Sequence, residues 1–270
     1  LVRKSLSFDY ALLGISTLPA TTKVRMVVDK YRALAAMLAG RGATATVGAA
    51  KMKVRSASDM GTLQSCVTDF HDEVVATDLI SPNGPIIVDV GANIGQFCAA
   101  AKLYYPTATV YSFEPDPESY AQLIANTDRL DCVHTFNIGI GSTRGRLTFH
   151  QHPLSVMSSF TTTPGEHYAS EVELPVERLD DVLTGVDWID LLKVDVEGFE
   201  YQVLAGAESV LQRTGAVIVE VRLGGQSNRS NLEVIELLHR VSPSSHLVMT
   251  GRVLTGADGP MCFDVVVKLR

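Results

Sequence analysis

The stretch Ile86–Gln96 reads I-I-V-D-V-G-A-N-I-G-Q. A short apolar run ends on an acid, Asp89, and a turn containing Gly91 and Gly95 follows. From Phe97 to Leu103 apolar residues then recur at helical spacing. This is the form of a buried strand feeding a phosphate- or nucleoside-binding turn. A plain strand–turn–helix crossover has the same outline, with the two glycines serving only the tight bend and close packing. The segments around it decide between the two.

Downstream of Pro85, apolar runs alternate with helical segments. Strands are expected at Ile86–Val90, Thr109–Phe113, Val133–Ile138, Ile189–Val194 and Ala216–Val221. Helices are expected at Gln96–Tyr104, Pro117–Asp128 and Glu200–Arg213. Such alternation predicts an α/β fold with a mainly parallel sheet covered on both faces. Arg146–His150 and Val172–Val176 read as extra strands around a loop, and His246–Thr250 with Phe263–Leu269 as a terminal antiparallel pair on the sheet edge. Upstream, S-P-N-G-P at Ser81–Pro85 is the clearest boundary, because two prolines and an Asn-Gly pair interrupt regular structure. It separates residues 1–80, a cap or extension, from a main domain at 81–270. In that extension Thr21–Leu38 has helical spacing, Thr44–Val54 reads as a hairpin around Gly48, and Ser58–Thr68 and His71–Leu79 are weaker helical segments.

At 270 residues with 46% hydrophobic and 20% charged content, the chain has ample core for one large domain. Its net charge of -7 argues against broad electrostatic binding of nucleic acid. Cys66, Cys98, Cys132 and Cys262 are scattered, with no C-x-x-C pair, so neither a zinc ribbon nor a redox pair is suggested. A reducing, cytoplasmic setting fits that usage. No run is long and apolar enough for a membrane span. Residues 1–20 make a poor signal peptide, since Asp9, Gly14, Ser16 and Thr17 interrupt the apolar middle. The chain starts on Leu rather than Met, as a trimmed sequence would.

In open α/β sheets ligands bind beyond the carboxyl ends of the strands. In the first turn, Asn93 stands where a dinucleotide fingerprint places the glycine that meets pyrophosphate. The turn therefore suits a ligand with an amino-acid moiety better than NAD. After the second strand, Glu114 follows Asp89 by 25 positions, near where an acid holds ribose hydroxyls. Asp116 and Pro117 then open a helix. After the third strand, Asn137 is placed to meet an adenine edge, Ile138 to pack on its face and Gly139 to allow close approach. After the fourth come Asp195 and Glu197, two positions apart, with Lys193 set among core residues as a partner for one of them.

Taken together, D-V-G-A-N-I-G from Asp89, F-E-P-D-P from Phe113, R-L-D-D-V-L from Arg178, I-D-L-L-K-V-D-V-E-G from Ile189 and E-Y-Q-V-L-A-G-A from Glu200 resemble the FkbM family of S-adenosylmethionine-dependent methyltransferases. The likeness covers roughly residues 85–221. It implies a Rossmann-like methyltransferase fold of seven-stranded type. It places Asp89, Gly91, Asn93 and Gly95 around the methionine part of S-adenosyl-L-methionine, Glu114 on the ribose, and Asp116 and Asn137 near adenosine. Members commonly methylate hydroxyl oxygens, often on sugars or polyketide-like products. The expected activity is O-methylation of a carbohydrate or secondary metabolite, with a small-molecule or glycan acceptor. The alternatives are an NAD(P)-dependent Rossmann oxidoreductase and a non-catalytic cofactor-binding protein of the same fold.

A sugar hydroxyl is too weak an acid to ionise unaided at neutral pH, so a base or a metal ion is expected. Asp195 and Glu197 are the best-placed acids. Among the histidines His150 leads, followed by His152 and His167 on the segment expected to overhang the site. Ser158 and Ser159 are placed to meet substrate hydroxyls. A Mg²⁺ site would form if Asp195, Glu197 and Asp116 converged. Residues 1–80 have two roles open to them, covering the acceptor site or forming a homo-oligomer contact.

Overall fold

A computed structural model of the chain describes residues 9–162, 165–222, 228–250, 254–256 and 259–270. The first eight residues of the apolar stretch at the start lie outside these. A helical turn at residues 9–14 leads into α1 (Ala20–Leu38). Next comes a hairpin, β1 (Ala43–Val47) and β2 (Ala50–Val54), whose residues alternate between core and solvent and whose turn carries Gly48 at φ +56°. Ser56 caps α2 (Ala57–Phe70), accepting from the Asp59 N–H, and the helix widens over His71–Val75 before the chain reaches the main sheet.

The main unit runs β3 (Ile86–Val90), α3 (Gln96–Tyr104), β4 (Thr109–Phe113), α4 (Pro117–Thr127), β5 (Val133–Phe136), β6 (Gly139–Ile140), β7 (Gly145–Gln151), β8 (Ser170–Glu177), α5 (Leu179–Val182), β9 (Ile189–Val194), α6 (Glu200–Ala205), α7 (Glu208–Leu211), β10 (Thr214–Arg222), α8 (Asn228–Val241), β11 (His246–Thr250), β12 (Leu254–Gly256) and β13 (Gly259–Lys268). The sheet order is β11-β13-β10-β9-β3-β4-β5, with β12 paired to β13. β10, β9, β3, β4 and β5 are parallel, and β13 is antiparallel to both its neighbours. The doubly wound α/β fold is therefore as expected. Among the described residues, no helix is long and apolar enough to cross a membrane.

Alternation along the central strands divides the core between the two faces. Ile87 and Leu191 join α3 and the N-terminal elements on one side. Val88, Val90, Leu192 and Val194 join α6, α7 and α8 on the other. Residues from Leu12 to Ile80 thus share a core with α3. Phe70 of α2 stands 5.3 Å from the Phe97 ring and stacks on Tyr104 at 5.7 Å.

Two expectations need correction. The third strand stops at Phe136, because the Asn137 side chain donates to the Glu114 and Pro115 carbonyls at 2.9 and 3.0 Å and turns the chain out of the ladder. Beyond it, β6, β8 and β7 form a separate three-stranded sheet. The terminal antiparallel pair lies on the sheet edge as expected, with β11 outermost and β13 between it and β10.

The expected helix Glu200–Arg213 is broken at Gly206–Ala207. The bond that would join the Val210 N–H to the Gly206 carbonyl is replaced from outside. Asp180 donates its own N–H to the Gly206 carbonyl at 3.1 Å, and its Oδ1 accepts from the Val210 N–H at 2.9 Å. Gly206 is also pressed against a second segment, since a Cβ there would lie 1.9 Å from the Gly141 carbonyl oxygen. Asp180→Ala is expected to cost about 1–3 kcal/mol, read from urea unfolding, because a buried N–H loses its acceptor. An unchanged midpoint would remove Asp180 from this role.

Candidate active site

The carboxyl ends of β3, β4 and β9 meet at the turn 89–95. Gly91 has φ +90°, and a Cβ added there would lie 1.9 Å from the Asp195 carbonyl oxygen, so the turn is pressed against the end of β9. The N–H groups of Gly91 and Ala92 both donate to the Phe113 carbonyl, at 3.1 and 3.0 Å, fastening the turn to β4. Asn93 adopts φ +47°, a conformation Asn tolerates better than most residues. Gly95, at φ +90°, opens α3 with no side-chain cap.

Glu114 holds this corner together. Its Oε2 accepts from the Asn93 N–H at 2.7 Å and its Oε1 from the Asp116 N–H at 2.9 Å. Burial pushes its carboxyl up to about 7, although both backbone donors pull the other way. Asp116 caps α4 through the Ser119 N–H and accepts from Gln151 Nε2 at 2.5 Å. Asn137 Nδ2 is engaged by the two carbonyls already named. Gly139 meets a side chain: a Cβ there would lie 2.6 Å from the Phe160 ring.

On the β9 side, Asp89 is fully buried. Lys193 Nζ lies 3.5 Å from Asp89 and 3.2 Å from Asp195, and 5.2 Å from the centre of the Phe97 ring. Burial works against its ammonium, but Asp195 and Asp89 outweigh that and hold its pKa above the usual lysine value. The expected pairing of Lys193 is thus with Asp195, and Asp89 is a second partner. Glu197 sits at φ +58° and Gly198 at φ +101°. This bend is braced by Glu200, whose Oε1 accepts from the Val196 and Gly198 N–H groups at 3.2 and 2.9 Å, and whose pKa burial raises to about 7.

The segment 152–162 covers the corner. Ser159 Oγ donates to the Val196 carbonyl at 2.9 Å and Thr161 Oγ1 to the Glu197 carbonyl at 3.2 Å. Phe160 packs between Phe149 and Phe199, at 5.0 and 5.4 Å. Beneath lies a narrow cleft, with about 60 Å³ open to water-sized groups. Gly91, Asn93, Glu114, Gly139, Asp195 and Glu197 line it, as do Ser158 and Ser159. Asp89, Gly95, Asp116 and Asn137 stand behind that wall and order it.

The histidines do not reach the cleft wall. His150 Nδ1 faces Glu171 at 3.2 Å and its ring lies 5.4 Å from Tyr168; its backbone pairs with Ser159. His152 Nε2 faces Glu166 at 3.3 Å, and His167 is exposed. The Asp195–Glu197–Asp116 set expected for Mg²⁺ does not assemble among the described residues. The carboxylate that joins Asp195 and Glu197, with oxygens within 4.8 Å of one another, is Glu220.

Besides Glu220, two contributors were not expected from sequence. Glu200 could have been suspected from its place two residues after the D-V-E-G bend. Arg55, at the end of β2, carries no motif. Its Nη2 lies 3.2 Å from Asn93 Oδ1 and also donates to Ser155 Oγ, its Nε pairs with Asp59 at 3.3 Å, and its Nη1 reaches Ser119 Oγ at 3.4 Å.

Known proteins resemble this chain in sequence. The model of the methyltransferase FkbM domain matches residues 89–242. "Methyltransferase sdnD" of Sordaria araneosa is 35% identical over 160 residues, covering 47% of this chain and 62% of its own. "2-O-methyltransferase NoeI" of Sinorhizobium fredii is 27% identical over 169 residues, covering 56% and 68%. "31-O-demethyl-FK506 methyltransferase FkbM" of Streptomyces tacrolimicus is 33% identical over 174 residues, covering 51% and 65%. The chain thus spans about two thirds of the length of these relatives. With the match taking in the turn at 89–95, Glu114 and the bend at 195–198, the chain belongs to the FkbM methyltransferase family.

Proposed function

We propose that the cleft binds S-adenosyl-L-methionine and that the protein transfers its methyl group to a hydroxyl of a small molecule, a carbohydrate or secondary metabolite. The observation that carries this is Glu114. It is a buried carboxylate in the cleft wall with two backbone donors, which leaves acceptor capacity for ribose hydroxyls. The buried, unpartnered Nδ2 of Asn93 beside it offers a donor to the amino-acid end. The relatives from Sinorhizobium fredii and Streptomyces tacrolimicus carry names that specify methylation at oxygen, which supports a hydroxyl acceptor.

When bound, the cofactor supplies a sulfonium methyl open to in-line displacement. The chain supplies position and a proton acceptor. We assign the acceptor to Glu197, because it lines the cleft while the His150 imidazole faces Glu171 and Tyr168. Asp195, held at 3.2 Å by Lys193, serves to orient the site. Phe160 and its segment exclude water. Residues 1–80 act as an extension to a methyltransferase unit at 81–270 rather than as a separate activity.

S-adenosylhomocysteine is expected to raise the melting temperature and NAD to leave it unchanged; stabilisation by NAD alone would sink the reading. Labelled methyl transfer to a panel of glycans and alcohols tests turnover. A pH dependence follows from Glu114. Its folded pKa, about 7, lies above the 4.5 usual for a free glutamate, so the folded state holds this proton more tightly and its stabilising contribution is lost as pH rises through 7. Accepting two hydroxyl protons requires the ionised form. Affinity for S-adenosylhomocysteine should therefore rise about tenfold between pH 6 and pH 8. Glu114→Gln should flatten that rise, even though Glu200 titrates in the same range. A slope unchanged in Glu114→Gln would take Glu114 off the ribose.

A further inference from the structure

We propose that Arg55, supplied by the N-terminal extension, binds the carboxylate of the cofactor's methionine end, completing the cofactor site from outside the family-matched residues 89–242. This rests on the cofactor reading above.

An amino-acid end brings a carboxylate into a corner whose side chains are mostly acidic: Asp89, Glu114, Asp195 and Glu197. Among the described residues two cations approach the turn. Lys193 lies between Asp89 and Asp195, and its charge is balanced there. Arg55 is differently placed. Among the described residues its single carboxylate partner is Asp59, which meets Nε. Its Nη2 faces only neutral groups of the cleft wall, Asn93 Oδ1 and Ser155 Oγ.

Hydrogen bonds from a guanidinium to a carboxylate are roughly twice as strong as those to neutral acceptors. A carboxylate arriving at the turn therefore displaces the Ser155 hydroxyl from Nη2 at a net gain. Asn93 strengthens the match. Its Oδ1 takes Arg55, while its Nδ2 is buried without an acceptor. Arg55 Nη2 and Asn93 Nδ2 thus form a two-donor fork at the turn, suited to the two oxygens of one carboxylate. The fork is held in advance: the Arg55 N–H donates to Asp59 Oδ2 at 2.8 Å, and Asp59 lies in the first turn of α2, itself capped by Ser56. The guanidinium remains reachable, with the Arg55 side chain 27% exposed.

The test compares two ligands that differ at this end. S-adenosylhomocysteine carries the amino-acid moiety; 5′-methylthioadenosine keeps adenosine and sulfur without it. Titration calorimetry on the full chain should show Arg55→Gln weakening S-adenosylhomocysteine by at least about tenfold while 5′-methylthioadenosine changes by less than about twofold. Arg55→Lys, which keeps the charge but loses the fork, should fall between. Equal losses for both ligands would make Arg55 a structural tie and overturn the proposal, as would no loss for either. Wild-type protein that binds neither ligand would instead overturn the cofactor reading, and this inference with it.

Discussion

Glu197→Gln is expected to lower methyl transfer by about two to four orders of magnitude, the usual worth of a positioned proton acceptor. Affinity for S-adenosylhomocysteine should stay within about threefold, because the substitution keeps the shape of the side chain and its carbonyl bond to Thr161 Oγ1. Gln cannot take the hydroxyl proton. The backbone there is already committed: φ +58° at a non-glycine residue is an uncommon conformation, held by Glu200 from below and Thr161 from above. Conformations of this kind persist where the surroundings over-determine them, and here they aim a carboxylate into the cleft. Single-turnover transfer of labelled methyl, with His150→Ala as comparison, separates the candidates. Full turnover in Glu197→Gln together with a collapse in His150→Ala would hand the proton to the histidine after all.

Gly91→Ala should be the most damaging small change in the turn. The added methyl meets the Asp195 carbonyl oxygen at 1.9 Å and its carbon at 2.9 Å, with φ at +90°. Relief by spreading the strands is blocked, because the Asp195 N–H donates to the Val90 carbonyl at 3.1 Å and the Gly91 N–H is fastened to Phe113. A loss of about 3–5 kcal/mol is expected, combining backbone strain with the clash. Urea unfolding measures it, and S-adenosylhomocysteine titration should show binding abolished in whatever fraction still folds. A melting curve like the wild type's would mean that β9 can yield there.

The sequence was most legible where local pattern alone decides. β3, β4 and β9 have the bounds their apolar runs indicate, and α3 begins after its left-handed Gly95. It was least legible where a distant residue intervenes. Nothing in E-Y-Q-V-L-A-G-A-E-S-V-L reports that Asp180 takes over the bond between Gly206 and Val210. Nothing in F-N-I-G reports that Asn137 faces carbonyls 22 and 23 residues earlier. The site behaved likewise. The acids at strand ends were readable because sheet topology gathers strand ends. Arg55 was not, since it precedes Asn93 by 38 residues, and its reach depends on how the hairpin docks against the turn. Glu220 joined the two expected acids because β10 lies beside β9, a matter of strand order rather than of spacing.

The insertion of β13 between β10 and β11 has a consequence during synthesis. β11 emerges from the ribosome before the strand that attaches it, and until residues 259–268 follow, the edge of β10 has no partner on that side. Val217, Val219 and Val221 lie along that edge. An unpaired apolar strand edge is a template for pairing with other chains. Removing residues 259–268 would therefore leave the parallel strands with that apolar edge unsealed, and β11 without the strand that attaches it.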